Sequence, residues 1–190
     1  MTRAALLALT AVLGLLAGSN EQVADDGGAK GKIELIRQDR ALPGSVVRLT
    51  EEELNRYVRG EVERFVPEGI RDPRLDLGRN RASGYAYIDF PKLRQSIGKP
   101  MGSFLARLLS GARPVRVDAR IRSGNGRAVI YLDRVEVSGL SISGGALDYL
   151  IRNFLWPYYP EAKIGKPFEL AHGIDRLEVR PNAVRVVMAK

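Results

Sequence analysis

Residues Leu49 to Phe65, reading Leu-Thr-Glu-Glu-Glu-Leu-Asn-Arg-Tyr-Val-Arg-Gly-Glu-Val-Glu-Arg-Phe, constrain the fold more than any other stretch. Thr50 and Glu53 have the spacing of a capping box, in which each side chain accepts the other's backbone N–H. Leu49 and Leu54 flank the cap as a hydrophobic staple. Glu51, Glu52 and Glu53 place negative charge at the positive end of a helix dipole. Leu54, Tyr57, Val58, Val62 and Phe65 then recur at helical spacing on one face, and Pro67 and Gly69 stop the run. Gly60 interrupts it at a cost of about 1 kcal/mol relative to alanine, which points to a close approach by another backbone or a ligand. A completely capped amphipathic helix is a fixed structural post that needs something to bury its apolar face against.

The rest of the chain reads mainly as strands. Ile33 to Arg37 is a short strand candidate, Leu42-Pro43-Gly44 a turn, and Val46 to Leu49 an extended lead into the helix. Arg74 to Asn80 and Ser83 to Phe90 form a hairpin, the second strand setting Gly84, Ala86, Ile88 and Phe90 against Tyr85, Tyr87 and Asp89. Val115 to Arg122 alternates apolar with charged residues and turns through Asn125-Gly126, a favoured hairpin pair. The returning strand, Ala128 to Val137, changes phase: Ala128, Ile130 and Leu132 are even, Val135 and Val137 odd. Either a bulge near Asp133 shifts the pattern, or both faces of part of the strand are covered. A second helix spans Ala146 to Leu155 with Leu147, Leu150, Ile151, Phe154 and Leu155 as its stripe, and the chain closes in a hairpin turning at Pro181-Asn182.

The amino terminus sets the expected compartment. Arg3, an apolar run from Ala4 to Leu16 and the small residues Ala17-Gly18-Ser19 have the layout of a secretory signal, with an uncleaved anchor as the alternative. Residues 1–19 are therefore assigned to a signal peptide, 20–32 to a flexible polar leader and 33–189 to one domain. Localisation is expected to be exported, periplasmic or extracellular, and possible membrane association follows from the charge. The chain has no cysteine, so an exported fold stands on its core without disulfides. A formal charge of +8 favours anionic partners.

Chemistry finds little support. The chain offers neither a cysteine nucleophile nor a Gly-x-Ser-x-Gly serine, and its one histidine, His172, lies between Ala171 and Gly173 without a partner motif. No His, Cys or carboxylate cluster has metal-ligand spacing, and no loop has the phosphate-cradling pattern. Neither a catalytic residue, a metal nor a cofactor is assigned. Asp89, Asp118 and Asp133 are strand acids whose expected role is pairing with arginines. Nucleic acid is not expected as a partner, since no recognition motif accompanies the basic charge.

The most suggestive segment is Pro91 to Pro114, free of acidic residues and mixing Leu93, Ile97, Met101, Phe104, Leu105, Leu108 and Leu109 with basic side chains. Gly98, Pro100 and Gly102 divide it into two short helical pieces. Core packing with snorkelling basic side chains accounts for it. So does a basic amphipathic lip docking on an anionic membrane, with Lys92, Arg94, Lys99, Arg107 and Arg113 contacting head groups. The run Trp156 to Tyr159 either caps the core or lines the mouth of an apolar cavity.

The order of extended residues, Leu-Thr-Glu-x-x-Leu-Asn helix start and successive hairpins resembles the LmeA-like phospholipid-binding proteins of bacterial envelopes, relatives of the tubular lipid-binding (TULIP) domains. Tyr87-Ile-Asp-Phe90, the Asn-Gly hairpin and the closing Ile174-Asp-Arg-Leu-Glu-Val179 add to the likeness, which covers about residues 33–189. The resemblance implies a TULIP-like α+β fold, a curved antiparallel sheet wrapped around one or two amphipathic helices, with an apolar groove. On that basis a phospholipid or other apolar ligand is expected against Val58, Val62, Phe65, Ile88, Phe90, Phe104, Leu108, Leu150 and Phe154. The expected function is non-enzymatic binding or transfer of lipid at the envelope. The alternatives are a ligand-free structural protein, for which these residues are plain core, and a hydrolase using His172 or Asp89. The sequence assigns no oligomeric state.

Overall fold

The computed structural model describes residues 28–65, 69–94, 107, 109–155 and 164–190. The elements run α1 (Ala29–Arg37), β1 (Val46–Thr50), α2 (Glu51–Phe65), β2 (Ile70–Gly78), β3 (Arg81–Asp89), α3 (Phe90–Arg94), β4 (Ala112–Gly124), β5 (Arg127–Val137), β6 (Leu140–Ser141), α4 (Gly144–Leu150), a π-helical turn (Ile151–Leu155), β7 (Phe168–Glu169), β8 (Ile174–Arg180) and β9 (Ala183–Met188). The fold is α+β. Strands β2 to β6 pair antiparallel in chain order, and β7 adds to β5. A second antiparallel sheet has the order β1-β9-β8.

The phase change in β5 has a direct cause. Asp118 of β4 faces Arg134 while the neighbouring Ala119 faces Leu132, so Asp133 is an extra, unpaired residue. This bulge keeps Ile130, Val135 and Val137 on the inner face and frees Asp133 to receive Arg120, whose Nε lies 2.7 Å from its carboxylate. The Asn125-Gly126 turn takes positive φ at both residues, +52° and +69°, as a two-residue hairpin with right-handed strand twist requires.

Ile33 to Arg37 is not a strand. Together with Ala29 to Lys32, placed in the leader by composition, it forms α1, with Ala29, Ile33 and Ile36 buried. Those residues repeat at helical spacing and pack beside β1 and β9 residues, so tertiary burial stabilises a helix whose start has no side-chain cap. The predicted second helix also changes character, since its last five residues form the π-helical turn.

Two apolar clusters occupy the inner face of the larger sheet. The first joins Ile33, Ile36, Leu49, Leu54, Leu75 and Ile130 to Leu177, Val184 and Val186, so the smaller sheet and α1 cover that half. The second lies toward the other end of β4 and β5 and contains Val58, Ile88, Phe90, Val115 and Val137. Its described covering comes from α2, α3 and α4.

Candidate functional site

Helix α2 is positioned by its own first turn. The Thr50 N–H donates to Glu53 Oε2 at 2.8 Å and the Glu53 N–H donates to Thr50 Oγ1 at 3.2 Å, completing the capping box. Leu49 and Leu54 are both fully buried in the first cluster. Lys32 Nζ donates to Glu53 Oε1 at 2.7 Å and to the Arg48 carbonyl at 2.9 Å, tying α1 to the cap. Burial raises the Glu53 carboxyl, but the bonds from Lys32 and Thr50 outweigh it and hold the group below its ordinary value.

The acidic cluster does more than cap. Glu51 Oε2 accepts the Leu77 N–H at 2.7 Å. Asn55 accepts the Leu75 N–H and donates to the Leu75 carbonyl, both at 2.7 Å. These side chains act as a substitute strand along the outer edge of β2, satisfying backbone groups that otherwise form an open sheet edge. The Leu-Thr-Glu-Glu-Glu-Leu-Asn start therefore encodes both a helix and the closure of the strand beside it. Sequence reasoning missed this second role because it depends on contacts about 20 residues apart.

Past this clamp, α2 reaches the second cluster. Val58, Ile88 and Phe90 are buried there, and Leu150 packs against them half-exposed, so four of the nine expected lining residues come together. The first three are packed as core. Val62, Phe65 and Phe154 belong to helical backbone, but their side chains lie outside the described residues, as do Phe104 and Leu108 altogether. The Trp156 to Tyr159 run also lies outside. Tyr57, Leu147 and Tyr149, absent from the expected lining, pack on the cluster while remaining partly exposed. Helix α4 has no fully buried residue, although it lies on this core. Asn153, the buried polar residue among the described ones, donates to the Tyr149 carbonyl at 2.7 Å within the π-helical turn.

Of the expected head-group contacts, Lys92 and Arg107 are exposed. Arg113 is half-buried, donates to Ser110 Oγ at 2.9 Å, and has a buried Nε without a partner among the described residues. Arg94 contributes backbone to α3 with its side chain outside the described residues, and Lys99 lies outside them. Any opening framed by Lys92 to Arg113 falls mostly in that undescribed stretch.

The strand acids have local partners. Asp118 accepts from Ser83 at 2.6 Å and from Arg116 at 3.0 Å; burial raises its carboxyl, and these bonds more than reverse the effect. Asp89 accepts the Lys92 N–H at 3.2 Å, and Asp133 holds Arg120. His172 Nδ1 lies 3.3 Å from Asp39 Oδ1, linking the turn after α1 to the turn before β8. Among the described residues, no group of three His or carboxylate side chains is placed to hold a metal, and no helix is long and apolar enough to cross a membrane.

Two of the surface grooves lie among the described residues. One, about 560 Å³, lies on the outer face of the larger sheet beside Arg74, Tyr85, Tyr87 and Arg116. The other, about 680 Å³, follows the seam between the two sheets beside Arg79, Arg122, Arg176 and Arg180. Neither includes the expected apolar lining.

Fold and site together define a two-sheet antiparallel α+β protein whose second core cluster is roofed by short helices. No family model matches the chain, and no curated protein matches it. Among solved structures, the chain is similar to a crystal structure of a lipopolysaccharide binding protein at 15% identity, with 76% of this chain and 40% of that one covered. The TM-score is 0.26, too low to carry any argument about function.

Proposed function

We propose that the chain binds, and in doing so carries, a lipid or other apolar ligand at the bacterial cell envelope, without catalysing a reaction on it. The supporting observation is the difference between the two clusters. The first is enclosed by a second sheet, whereas the described cover of the second comes from α2, α3 and α4, and Leu147, Tyr149 and Leu150 of α4 pack on it without being fully buried. In this reading acyl chains enter beneath α4 and along α2, over the floor made by Val58, Ile88 and Phe90. Each methylene withdrawn from water contributes about 0.8 kcal/mol, so one acyl chain supplies a large gross driving force. Lys92, Arg107 and Arg113 stand near that end of the sheet and attract anionic head groups at about 1 kcal/mol per basic side chain near a charged surface. The signal-like sequence of residues 1–19 supports export to the compartment where such lipids are exchanged.

Native mass spectrometry of the full chain expressed with its signal, followed by organic extraction, tests the proposal. Copurified lipid is expected, together with its loss in a Leu147→Asp/Leu150→Asp variant that retains wild-type circular dichroism. A folded protein with no extractable lipid and no dye-accessible apolar site would refute it and leave a ligand-free structural protein.

A further inference from the structure

The seam groove is a built feature far from the proposed acyl site. Ser123 Oγ donates to the Leu177 carbonyl at 2.8 Å and accepts the Leu177 N–H at 2.7 Å, joining β4 to β8. The β2–β3 turn closes one end: the Asn80 N–H donates to the Val179 carbonyl and the Asn80 carbonyl accepts from Ile121, both at 2.9 Å. Its walls are therefore fixed by hydrogen bonds between the two sheets. Arg113 and Arg122 lie nine positions apart on β4, which places this groove roughly 30 Å from the Lys92–Arg113 end.

Charge around the groove is unbalanced. Glu178 accepts from Arg176 at 3.2 Å, Arg180 at 2.8 Å and Arg185 at 2.9 Å. Asp175 accepts a further bond from Arg176 at 2.7 Å. These two carboxylates are thus shared among three guanidinium groups, which they also hold in place. Arg79 and Arg122 add two more, and neither has a carboxylate partner among the described residues. Arg122 instead lies over the Tyr131 ring, 5.8 Å from its centroid, a ring it shares with Arg120. Arginine forks suit the paired oxygens of phosphate groups, and the open groove, about 680 Å³, has room for a compact ligand.

We infer that the groove between Arg79, Arg122, Arg176 and Arg180 is a binding site for a compact phosphate-bearing ligand, whether a free phosphorylated metabolite or a phosphomonoester lipid head group. Arg79 and Arg122 contact the anion directly, while Arg176 and Arg180, oriented by Glu178, supply the opposite wall. Ser123 is engaged with Leu177 on both its donor and acceptor sides and serves as scaffold. The site is independent of the acyl-chain proposal and is tested without it.

Titration of the full chain with inorganic pyrophosphate at low salt, followed by calorimetry and amide NMR, is the primary measurement. Saturable binding is expected, with shifts centred on Asn80, Arg122 and Ser123. Arg79→Glu/Arg122→Glu should weaken it at least about tenfold, the scale of one lost charge-assisted hydrogen bond, and Arg56→Glu/Arg59→Glu, on the exposed face of α2, should not. Both arginines are exposed and make no ion pair among the described residues, so thermal midpoints should stay near wild type. Arg79→Lys/Arg122→Lys, which keeps charge without the fork, should bind between the two. Vesicles containing phosphatidic acid distinguish the sources: binding that competes with pyrophosphate assigns the site to a head group, and failure to compete assigns it to a free phosphate ligand. Equal weakening by both charge-reversal pairs would overturn the inference, since it would mean diffuse attraction. Tighter binding of a DNA oligonucleotide than of pyrophosphate, lost in the same variant, would overturn it in favour of nucleic acid.

Discussion

Replacing Asn55 with alanine tests whether α2 closes the edge of the larger sheet. Leu75 is fully buried, and Asn55 satisfies both its N–H and its carbonyl at 2.7 Å, with a further 2.9 Å bond to the Glu51 carbonyl. Alanine leaves two backbone groups of a buried residue without partners, at about 1–3 kcal/mol each. Its better helix propensity offsets about 0.6 kcal/mol. Water reaching an edge strand recovers part of the rest, so the expected loss is about 2–4 kcal/mol. With a urea dependence of about 2 kcal/mol per molar, the denaturation midpoint falls by about 1–2 M. Leu75 and Leu77 amide exchange should accelerate together, because Glu51 and Asn55 act from one helical turn. Arg56→Ala, on the exposed side of the same helix, serves as control and should stay within about 0.5 kcal/mol. If Asn55→Ala matches that control and leaves Leu75 exchange unchanged, the edge is closed by something other than these side chains and the reasoning fails.

Three further outcomes are expected. A Cβ at Gly60 meets nothing within 4 Å, so the close approach expected there is not made by any described residue; Gly60→Ala should gain about 1 kcal/mol in a thermal melt, and a loss would reveal an occupant. Glu53 is held below its ordinary value of 4.5, so its contribution is complete above about that pH and disappears as pH falls through its folded value. Removing its strongest partner in Lys32→Met should therefore destabilise the protein at neutral pH, with the gap to wild type narrowing in urea titrations at acid pH. Deleting Asp133 removes the extra residue of the β5 bulge and keeps Leu132 and Val135 on the inner face, so the variant should retain a native amide spectrum. Deleting Tyr131 instead shifts Leu132 to the outer face and should abolish that spectrum.

What was legible in the sequence is what short-range geometry determines. The capping box, the Asn-Gly hairpin and the closing hairpin follow from neighbouring residues and appear where the pattern puts them. The β5 phase change pointed to a bulge or to two covered faces, and pairing with β4 decides for the bulge. Helix α1 was misread because Lys30, Gly31 and Lys32 separate Ala29 from Ile33 and Ile36, and its stability comes from burial in the first cluster and from the bonds of Lys32 to Arg48 and Glu53. The seam groove was illegible for a related reason. Its arginines come from positions 79, 122, 176 and 180, and only the meeting of two sheets brings them together. Of the residues the resemblance put in an apolar lining, Val58, Ile88, Phe90 and Leu150 belong to one cluster, the first three as packed core, whereas Tyr149 escaped notice because half-buried aromatics leave no distinct pattern.

The clamp on β2 has a mechanical consequence. The three hydrogen bonds described between α2 and β2 all originate at Glu51 and Asn55, within the first five residues of a 15-residue helix. The side chains that seal the border of the sheet are thus the same ones that fix where the helix starts, so the two cannot be altered separately. A lesion in the first turn of α2 would therefore bare a strand able to recruit another chain, which ties placement of the helix to protection against edge-to-edge association.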